Sequence, residues 1–528
     1  MPEELQQNNP DNTAPQEDLE PQSSSNKRIA INTFTLYFRM LIVMLVGLYT
    51  SRVVLQGLGV KDYGIFNLVA GVVVIVNILS SSLNASTSRF LTYQLGKSDS
   101  NHLSKTFSTA ILIHLLLSIL VLILGETIGL WFINTQLVIE ENRIFAANCT
   151  YQAALISTFF SITQIPYNAS IISHEKIGIF ALIEIIHVFL KLLIAFVALY
   201  YENDKLILYS ALYCVVSVFV MFLYRFYCIN KFQETHIRWG YDKGLFKQML
   251  SFSGWSLFAN VGETSCKQGV NIILNRAFGT IINGATGVAL QVQAVLYGFI
   301  GNITTAFSPQ IVKEYAQDNI KRVNQLVFIG TKFTSLLTLI VTVPIYIKLD
   351  FLMQLWLEEV PHYSVSICRL LLIHNFVNSF NPMLVYSINA TGDIKGRSVF
   401  AGCIYFINII VAYLILRFTN NAPFVFCIFP VNSLLICLYN IFKYHDKVPS
   451  FRHYFFLFNI VFLSTTIGVI SLIICNLINL YLPNNIIGCI WLFFISSIIV
   501  IFFSIMFYFN KHEREYVFSR FKNICKSL

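Results

Sequence analysis

The chain is dominated by apolar blocks of about 20 residues or more, separated by short polar breaks. A block of this length forms a helix that crosses about 30 Å of hydrocarbon, whereas a membrane barrel strand would appear as about ten alternating residues. Only 12% of the 528 residues are charged and 56% are hydrophobic, which is too apolar for a soluble surface. The sequence therefore predicts an all-α polytopic membrane protein.

The breaks divide the apolar sequence into about 14 predicted spans. They lie near 33–56, 63–87, 106–133, 144–172, 177–200, 206–229, 248–275, 281–308, 323–347, 362–390, 397–417, 422–442, 453–477 and 485–509. We expect a disordered tail at 1–30, an N-lobe of six spans at 31–229, a linker at 230–247, a C-lobe of six spans at 248–443, a helix pair at 444–510 and a basic tail at 511–528.

The loop charges predict the orientation of these spans. Lys and Arg remain on the cytoplasmic side of short loops, and here one alternate set of loops carries about 24 of them against about 7 in the other. Both termini are therefore expected in the cytoplasm, and no cleaved signal is expected. The net charge of +9 follows this loop bias and forms no continuous basic face, so nucleic acid is not an expected partner.

The sequence contains none of the common motifs for cofactor or metal chemistry. The eleven cysteines include no CxxC pair, so they are interpreted as packing residues and no metal is expected. There is no P-loop, HExxH, GxSxG or dinucleotide fingerprint, so no cofactor is expected and the chain is predicted not to hydrolyse ATP.

The two halves of the chain show an internal similarity. A shift of 220 positions places Gly59 and Gly64 on Gly279 and Gly284, and Ser88 on Ser308. Because the shift spans six helices, an even number, both halves would share one orientation in the membrane. This pattern is typical of transporters whose parallel repeats surround a central site.

The seventh predicted span carries a polar stripe. Asn260, Glu263, Lys267 and Asn271 recur three or four residues apart, which places them on one face of a helix. We expect this face to line a wet cavity and bind substrate, because a charge at the bilayer centre costs about 3 kcal/mol or more. The alternative is that Glu263 and Lys267 form an internal ion pair that only stabilises helix packing.

Other charges also lie inside predicted spans. Arg39 and Arg52 belong to the first span, Arg276 ends the seventh and Arg369 lies in the tenth, and all four are predicted substrate-binding residues. For Arg52 and for Arg39, the alternative is a side chain that extends toward the membrane interface.

The fifth and second spans carry charges with open roles. Glu184, His187 and Lys191 share one face of the fifth span, and Glu184 and Glu263 are the candidates for coupling to an ion. Arg89 ends the polar stretch of the second span and is interpreted as a positive-inside anchor, with a functional charge inside the membrane as the alternative.

Two stretches resemble a known family. They are "TLYFRMLIVMLVGLYTSRVVLQGLGVKDYGIFNLVAGVV" at 35–73, with its turn at Gly59, Asp62, Tyr63 and Gly64, and the loop "NATGDIKGRS" at 389–398. Both are similar to bacterial polysaccharide transporters, the Wzx-type O-antigen flippases of the multidrug, oligosaccharidyl-lipid and polysaccharide exporter superfamily.

The resemblance implies a MATE-like fold of two six-helix lobes with an additional C-terminal helix pair. It implies an inner-membrane flippase, not an enzyme, that moves an undecaprenyl-pyrophosphate-linked oligosaccharide, an O-antigen or capsule repeat unit, by alternating access. The implied partners are this lipid-linked oligosaccharide and membrane lipids, and a polysaccharide polymerase complex is a further one that the resemblance allows. A multidrug exporter of the same superfamily is the alternative, and a membrane-embedded polymerase or ligase is a weaker one.

Overall fold

The computed structural model describes residues 22–135, 140–236, 242–278, 280–357 and 360–508, and in these ranges the chain is helical with no strand. The predicted all-α architecture is confirmed. The helices are α1 (Gln22–Gly96), α2 (Ser100–Leu124), α3 (Leu130–Thr135), α4 (Ile144–Ser173), α5 (Ile177–Tyr200), α6 (Lys205–Lys231), α7 (Lys243–Phe278), α8 (Thr280–Ala316), α9 (Ile320–Trp356), α10 (Ser364–Asn378), α11 (Asn381–Thr391), α12 (Lys395–Thr419), α13 (Ala422–Val425), α14 (Ile428–Lys447), α15 (His453–Phe456), α16 (Leu463–Asn479) and α17 (Ile486–Phe503). The predicted tail at 511–528 lies outside the described residues.

Ten helical segments of the described chain are long and apolar enough to cross a membrane. They are Arg28–Gly59, Ser100–Thr135, Ile177–Tyr200, Lys205–Lys231, Gly284–Ala316, Ile320–Trp356, Lys395–Thr419, Ala422–Lys447, His453–Asn479 and Ile486–Tyr508.

The four other predicted spans are also helical. The spans near 63–87, 144–172 and 248–275 lie in the second part of α1, in α4 and in α7, and the span near 362–390 is divided between α10 and α11. Polar residues lower the hydropathy of the spans near 144–172 and 248–275, and the break before Pro382 shortens the pieces of the span near 362–390. A helix of this kind tolerates a membrane when its polar face is covered by other helices or lines a cavity.

Helix α1 turns back on itself at Gly59, whose φ of 75° and ψ of 168° are not helical. Glycine adopts this conformation because it has no Cβ to clash with the backbone. The helix begins at Gln22, within the segment predicted to be a disordered tail. It starts early because Ile29 is buried against the hydrophobic core of the C-terminal half of the chain, which stabilises the first turns.

The helices pack into two lobes. Helices α1, α2, α4, α5 and α6 form the N-lobe, and helices α7 to α14 form the C-lobe. Helices α16 and α17 pack on α9 of the C-lobe. Lys348 of α9 fixes one end of this pair by donating a 2.8 Å hydrogen bond to Asn484 Oδ1, and Lys332 fixes the other by donating to the Tyr508 carbonyl at 3.1 Å. The lobes meet mainly where α1 packs on α7 and α8.

Candidate functional site

The N-lobe presents a charged cluster to its interior, formed by Arg39, Glu184, His187, Lys191 and Tyr224. The Tyr224 hydroxyl donates a 3.1 Å hydrogen bond to Glu184 Oε1, and the Glu184 carboxylate interacts electrostatically with Arg39. Lys191 interacts electrostatically with His187. We call these five residues the N-lobe cluster. It contains two cations and one carboxylate, with a histidine beside them.

Both cations of the N-lobe cluster form cation–π contacts with aromatic rings. The Arg39 guanidinium carbon lies 5.0 Å from the centroid of the Phe180 ring, and Lys191 Nζ lies 4.9 Å from that of Tyr213. A cation over an aromatic face is stabilised by the quadrupole of the ring while its outer side stays available. The predicted common face of Glu184, His187 and Lys191 on α5 therefore faces the lobe interior.

The C-lobe presents a second cluster, formed by Glu263, Lys267, Tyr297, Arg397 and Tyr405. Lys267 Nζ lies 2.7 Å from Glu263 Oε1, and each side chain remains 40% exposed. The predicted alternative of an internal ion pair is therefore realised, but the pair also faces an accessible space. Tyr297 keeps 48% of its surface exposed, and both tyrosines interact electrostatically with Glu263.

Arg397 extends the C-lobe cluster toward the start of α12. It interacts electrostatically with Tyr405. Its Nε atom is buried and has no hydrogen-bond partner in the described part of the chain. A buried guanidinium donor without a partner is energetically unfavourable unless water or a ligand accepts its hydrogen bond. The C-lobe cluster therefore also has two cations and one carboxylate.

Two of the predicted site residues connect the lobes. Arg39 NH2 donates to Asn302 Oδ1 of α8 at 3.3 Å, and Asn260 Nδ2 donates to Ser82 Oγ of α1 at 2.9 Å. The seventh-span stripe is therefore divided, because Asn260 contacts the opposite lobe whereas Glu263 and Lys267 face open space.

The other predicted residues lie apart from the clusters. Arg52 and Arg276 are exposed, and Asn271 is half-buried on α7 beyond Lys267. Arg369 donates a 2.6 Å hydrogen bond to Asp350 Oδ2 of the neighbouring α9. The charge of Arg369 thus has a local acceptor, but its buried Nε has no hydrogen-bond partner in the described part of the chain, and substrate binding by Arg369 stays a prediction.

The lobes are sealed against each other at one rim, which we call the closed rim. Arg89 lies between them and donates to the carbonyl oxygens of Asn389 at 3.1 Å and Ala390 at 3.0 Å. Lys97 pairs with Asp318 at 3.3 Å.

Other contacts tighten the closed rim. Gln310 donates to Glu175 Oε2, and Gly96 lies so close to α8 that a methyl group there would meet the Ala316 Cβ at 2.7 Å. These contacts hold the end of α1 and the segment after α4 against α8 at this rim.

Residues 256–414 match the MatE family model, and no curated protein matches the chain. A crystal structure of MATE in complex with MaD3S has a TM-score of 0.70 at 14% identity, with 81% of this chain and 97% of that chain covered. The outward-facing conformation of a multidrug resistance MATE family transporter of the MOP superfamily has a TM-score of 0.71 at 14% identity and the same coverage. The chain has the MATE transporter fold.

A further structure with the MATE fold comes from Pyrococcus furiosus. It is a MOP superfamily transporter for which the reverse polarity of the binding pocket suggests a different function. It has a TM-score of 0.68 at 13% identity, with 80% of this chain and 96% of that chain covered. The MATE-like architecture predicted from the sequence is thereby confirmed.

The sequence analysis did not assign a site role to Arg89, to Arg397 or to the tyrosines of the two clusters. Arg89, interpreted as a positive-inside anchor, borders a 220 Å³ pocket between the lobes, whose wall includes Asn84, Tyr386 and Asn389. The unusually polar stretch before Arg89 was the available signal, since a simple anchor does not require serines and asparagine in the preceding turns.

Proposed function

We propose that the protein is an inner-membrane flippase of MATE fold that moves an undecaprenyl-pyrophosphate-linked oligosaccharide, an O-antigen or capsule repeat unit, by alternating access. The observation that carries the proposal is the charge of the two clusters. Each holds two cations against one carboxylate, so the interior has a positive excess on both lobes. A pyrophosphate is the complementary group, because it accepts charge-assisted hydrogen bonds from guanidinium and ammonium groups.

Partial neutralisation suits a carrier that must release its cargo. Lys267 is paired with Glu263 and Arg39 lies near Glu184, so neither cation is fully committed to a ligand. A site binds productively during transport only if it does not hold the substrate too tightly to let it leave. In the proposed mechanism the closed rim is one end state of alternating access, and its seal breaks when the lobes rotate.

Multidrug export remains the second candidate because of one specific observation. Glu263 interacts electrostatically with Tyr297 and Tyr405, and Glu184 accepts a hydrogen bond from the Tyr224 hydroxyl. Carboxylates among aromatic rings favour organic cations. The two candidates therefore assign opposite charges to the cargo, which makes them separable by substitution.

The test compares Lys267→Met with the double variant Glu263→Gln/Lys267→Met. The single change leaves Glu263 unpaired, whereas the double change removes both charges and leaves no lone carboxylate. If Lys267 contacts the cargo, both variants should lose surface polysaccharide by about tenfold or more, since a charge-assisted hydrogen bond is worth about 1.5 to 3 kcal/mol.

The outcomes separate the candidates. The double variant could instead restore surface polysaccharide at normal protein levels. This result would show that Lys267 only neutralises Glu263, and it would contradict the anionic-cargo proposal at this site. For the drug exporter, Glu263→Gln and Glu184→Gln should abolish resistance while Arg39→Lys leaves it unchanged. For the flippase, the Arg39→Lys variant should retain polysaccharide export only in part, because a point charge replaces a bidentate fork.

A further inference from the structure

A groove opens on the outer surface of the C-lobe, between the start of α12 and the end of α14. Its volume is about 530 Å³. Its walls are Val399, Phe400, Cys403 and Tyr439. The Phe400 and Tyr439 rings stack with centroids 4.1 Å apart and planes at 11°, so they give the groove a flat apolar side.

The groove continues into the exposed face of α12. Cys403 is exposed, and Ile407, Ile410 and Leu414 follow it as exposed apolar residues three or four positions apart. Residues at this spacing lie on one side of a helix. In a membrane-spanning helix such a face contacts acyl chains. The groove is therefore an indentation in a lipid-facing surface with room for a hydrocarbon chain.

The mouth of the groove carries a positive excess. Lys447 Nζ lies 2.7 Å from Asp393 Oδ2 and Lys443 Nζ lies 4.0 Å from the same atom, while Lys395 Nζ lies 5.2 Å from the Trp255 ring centroid. Lys443 and Lys447 thus share the Asp393 carboxylate, and Asp446 adds a second carboxylate near Lys447. With Lys395, three lysines stand against two carboxylates, which leaves the mouth with one excess positive charge. The amino-terminal turn of α12 adds the partial positive charge of its free backbone N–H groups.

The absence of a side chain at Gly396 keeps the mouth open. A Cβ at this position would lie 2.9 Å from the Tyr439 hydroxyl oxygen and 3.5 Å from Lys443 Nζ. The Lys443 side chain therefore folds over Gly396 and holds its ammonium group above the apolar walls. An apolar slot with ammonium groups at one end matches an amphiphile with an anionic head.

We propose that this groove is a binding site for an anionic phospholipid of the phosphatidylglycerol class, with one acyl chain along α12 and the phosphate among Lys395, Lys443 and Lys447. Basic clusters next to a membrane-spanning helix attract anionic headgroups, with each lysine contributing about fivefold in affinity. The site lies outside both interior clusters and is independent of the cargo that the protein carries.

Cys403 makes the proposal directly measurable. The full-length protein is reconstituted in phosphatidylcholine vesicles with or without a minor fraction of phosphatidylglycerol, and alkylation of Cys403 by a membrane-permeant maleimide is followed by peptide mass spectrometry. We expect phosphatidylglycerol to slow alkylation of Cys403 about tenfold. Cys214 of α6 serves as the internal control and should react at the same rate in both membranes.

Charge variants identify the cause of the protection. Lys395→Gln/Lys443→Gln should abolish it, whereas Lys231→Gln/Lys321→Gln, which removes two exposed lysines elsewhere, should retain it. Equal loss in both double variants would mean that phosphatidylglycerol accumulates by general attraction, and the site proposal would fail.

Two further results would also overturn the proposal. One is equal alkylation of Cys403 in the two membranes. The other is full protection by inorganic phosphate in phosphatidylcholine alone, because phosphate lacks the acyl chain that the groove is proposed to hold.

Discussion

The Arg89 contact is the strongest candidate for the element that holds the closed rim together. Its guanidinium donates two hydrogen bonds to backbone carbonyls at the end of α11 on the opposite lobe. Charge-assisted hydrogen bonds contribute about 1.5 to 3 kcal/mol each when both partners are withdrawn from water. The carbonyls at a helix C-terminus also carry partial negative charge.

The magnitude follows from these numbers. When the rim opens, water forms hydrogen bonds with Arg89 and with the carbonyls and so replaces part of the interaction energy that is lost. The two hydrogen bonds therefore contribute about 3 kcal/mol to the closed state. Arg89→Ala should therefore lower the ratio of closed to open rim by about 150-fold. Lys97→Ala is the matched control, because Lys97 and Asp318 are 41% and 85% exposed and such a pair contributes about 1 kcal/mol or less.

The assay is a distance measurement across the rim. Spin labels at Asn101 of the N-lobe and Gln317 of the C-lobe, both exposed, report the separation by pulsed electron resonance once the reactive native cysteines are replaced. Arg89→Ala should populate a longer distance, Arg89→Lys an intermediate mixture, and Lys97→Ala the short distance. A folded Arg89→Ala protein with the unaltered short distance would show that the seal does not depend on this residue.

Two further predictions concern stability. Gly59→Ala should destabilise the protein by about 1 to 3 kcal/mol, because the backbone conformation at Gly59 is essentially restricted to glycine. Thermal unfolding measures this change. The control is Gly47→Ala, which lies inside the helix with open space around it and should not lower the stability. The second prediction involves Glu234. Burial raises the pKa of its carboxyl group, but the 2.6 Å hydrogen bond with His174 and the charge of that histidine lower the pKa by more. The net pKa is therefore below the usual range for a glutamate. Because the pKa is lower in the folded than in the unfolded state, where it is about 4.3, the contact stabilises above that pH and its contribution is lost as the pH falls through the folded value. The melting temperature should therefore fall more steeply on acidification in the wild type than in Glu234→Gln, and parallel pH curves would contradict this.

Relations within one helix were predictable from the sequence. The Glu263 to Lys267 pair and the common face of Glu184, His187 and Lys191 follow from residue spacing alone, because helical geometry fixes which side chains meet. The helical architecture was also predictable from the sequence, because the hydropathy of each span depends only on its own residues.

Relations between helices were not predictable in this way. Arg89 contacts Asn389, which is 300 positions away, and Arg369 finds its carboxylate on a different helix at Asp350. The hydropathy of the sequence and the charge bias of its loops indicate only whether an arginine lies near the end of a span or inside it. Which acceptor it meets is decided by how the helices pack, between the lobes for Arg89 and within the C-lobe for Arg369.

The attachment of α16 and α17 makes the lobes mechanically unequal. Lys332 and Lys348 tie both ends of this pair to α9, so the pair is carried by the C-lobe. A body with a larger perimeter in a bilayer displaces more lipid when it tilts and meets more viscous resistance. Any relative rotation of the lobes is therefore shared unevenly, with the lighter N-lobe sweeping the larger angle while the C-lobe stays closer to rest in the membrane.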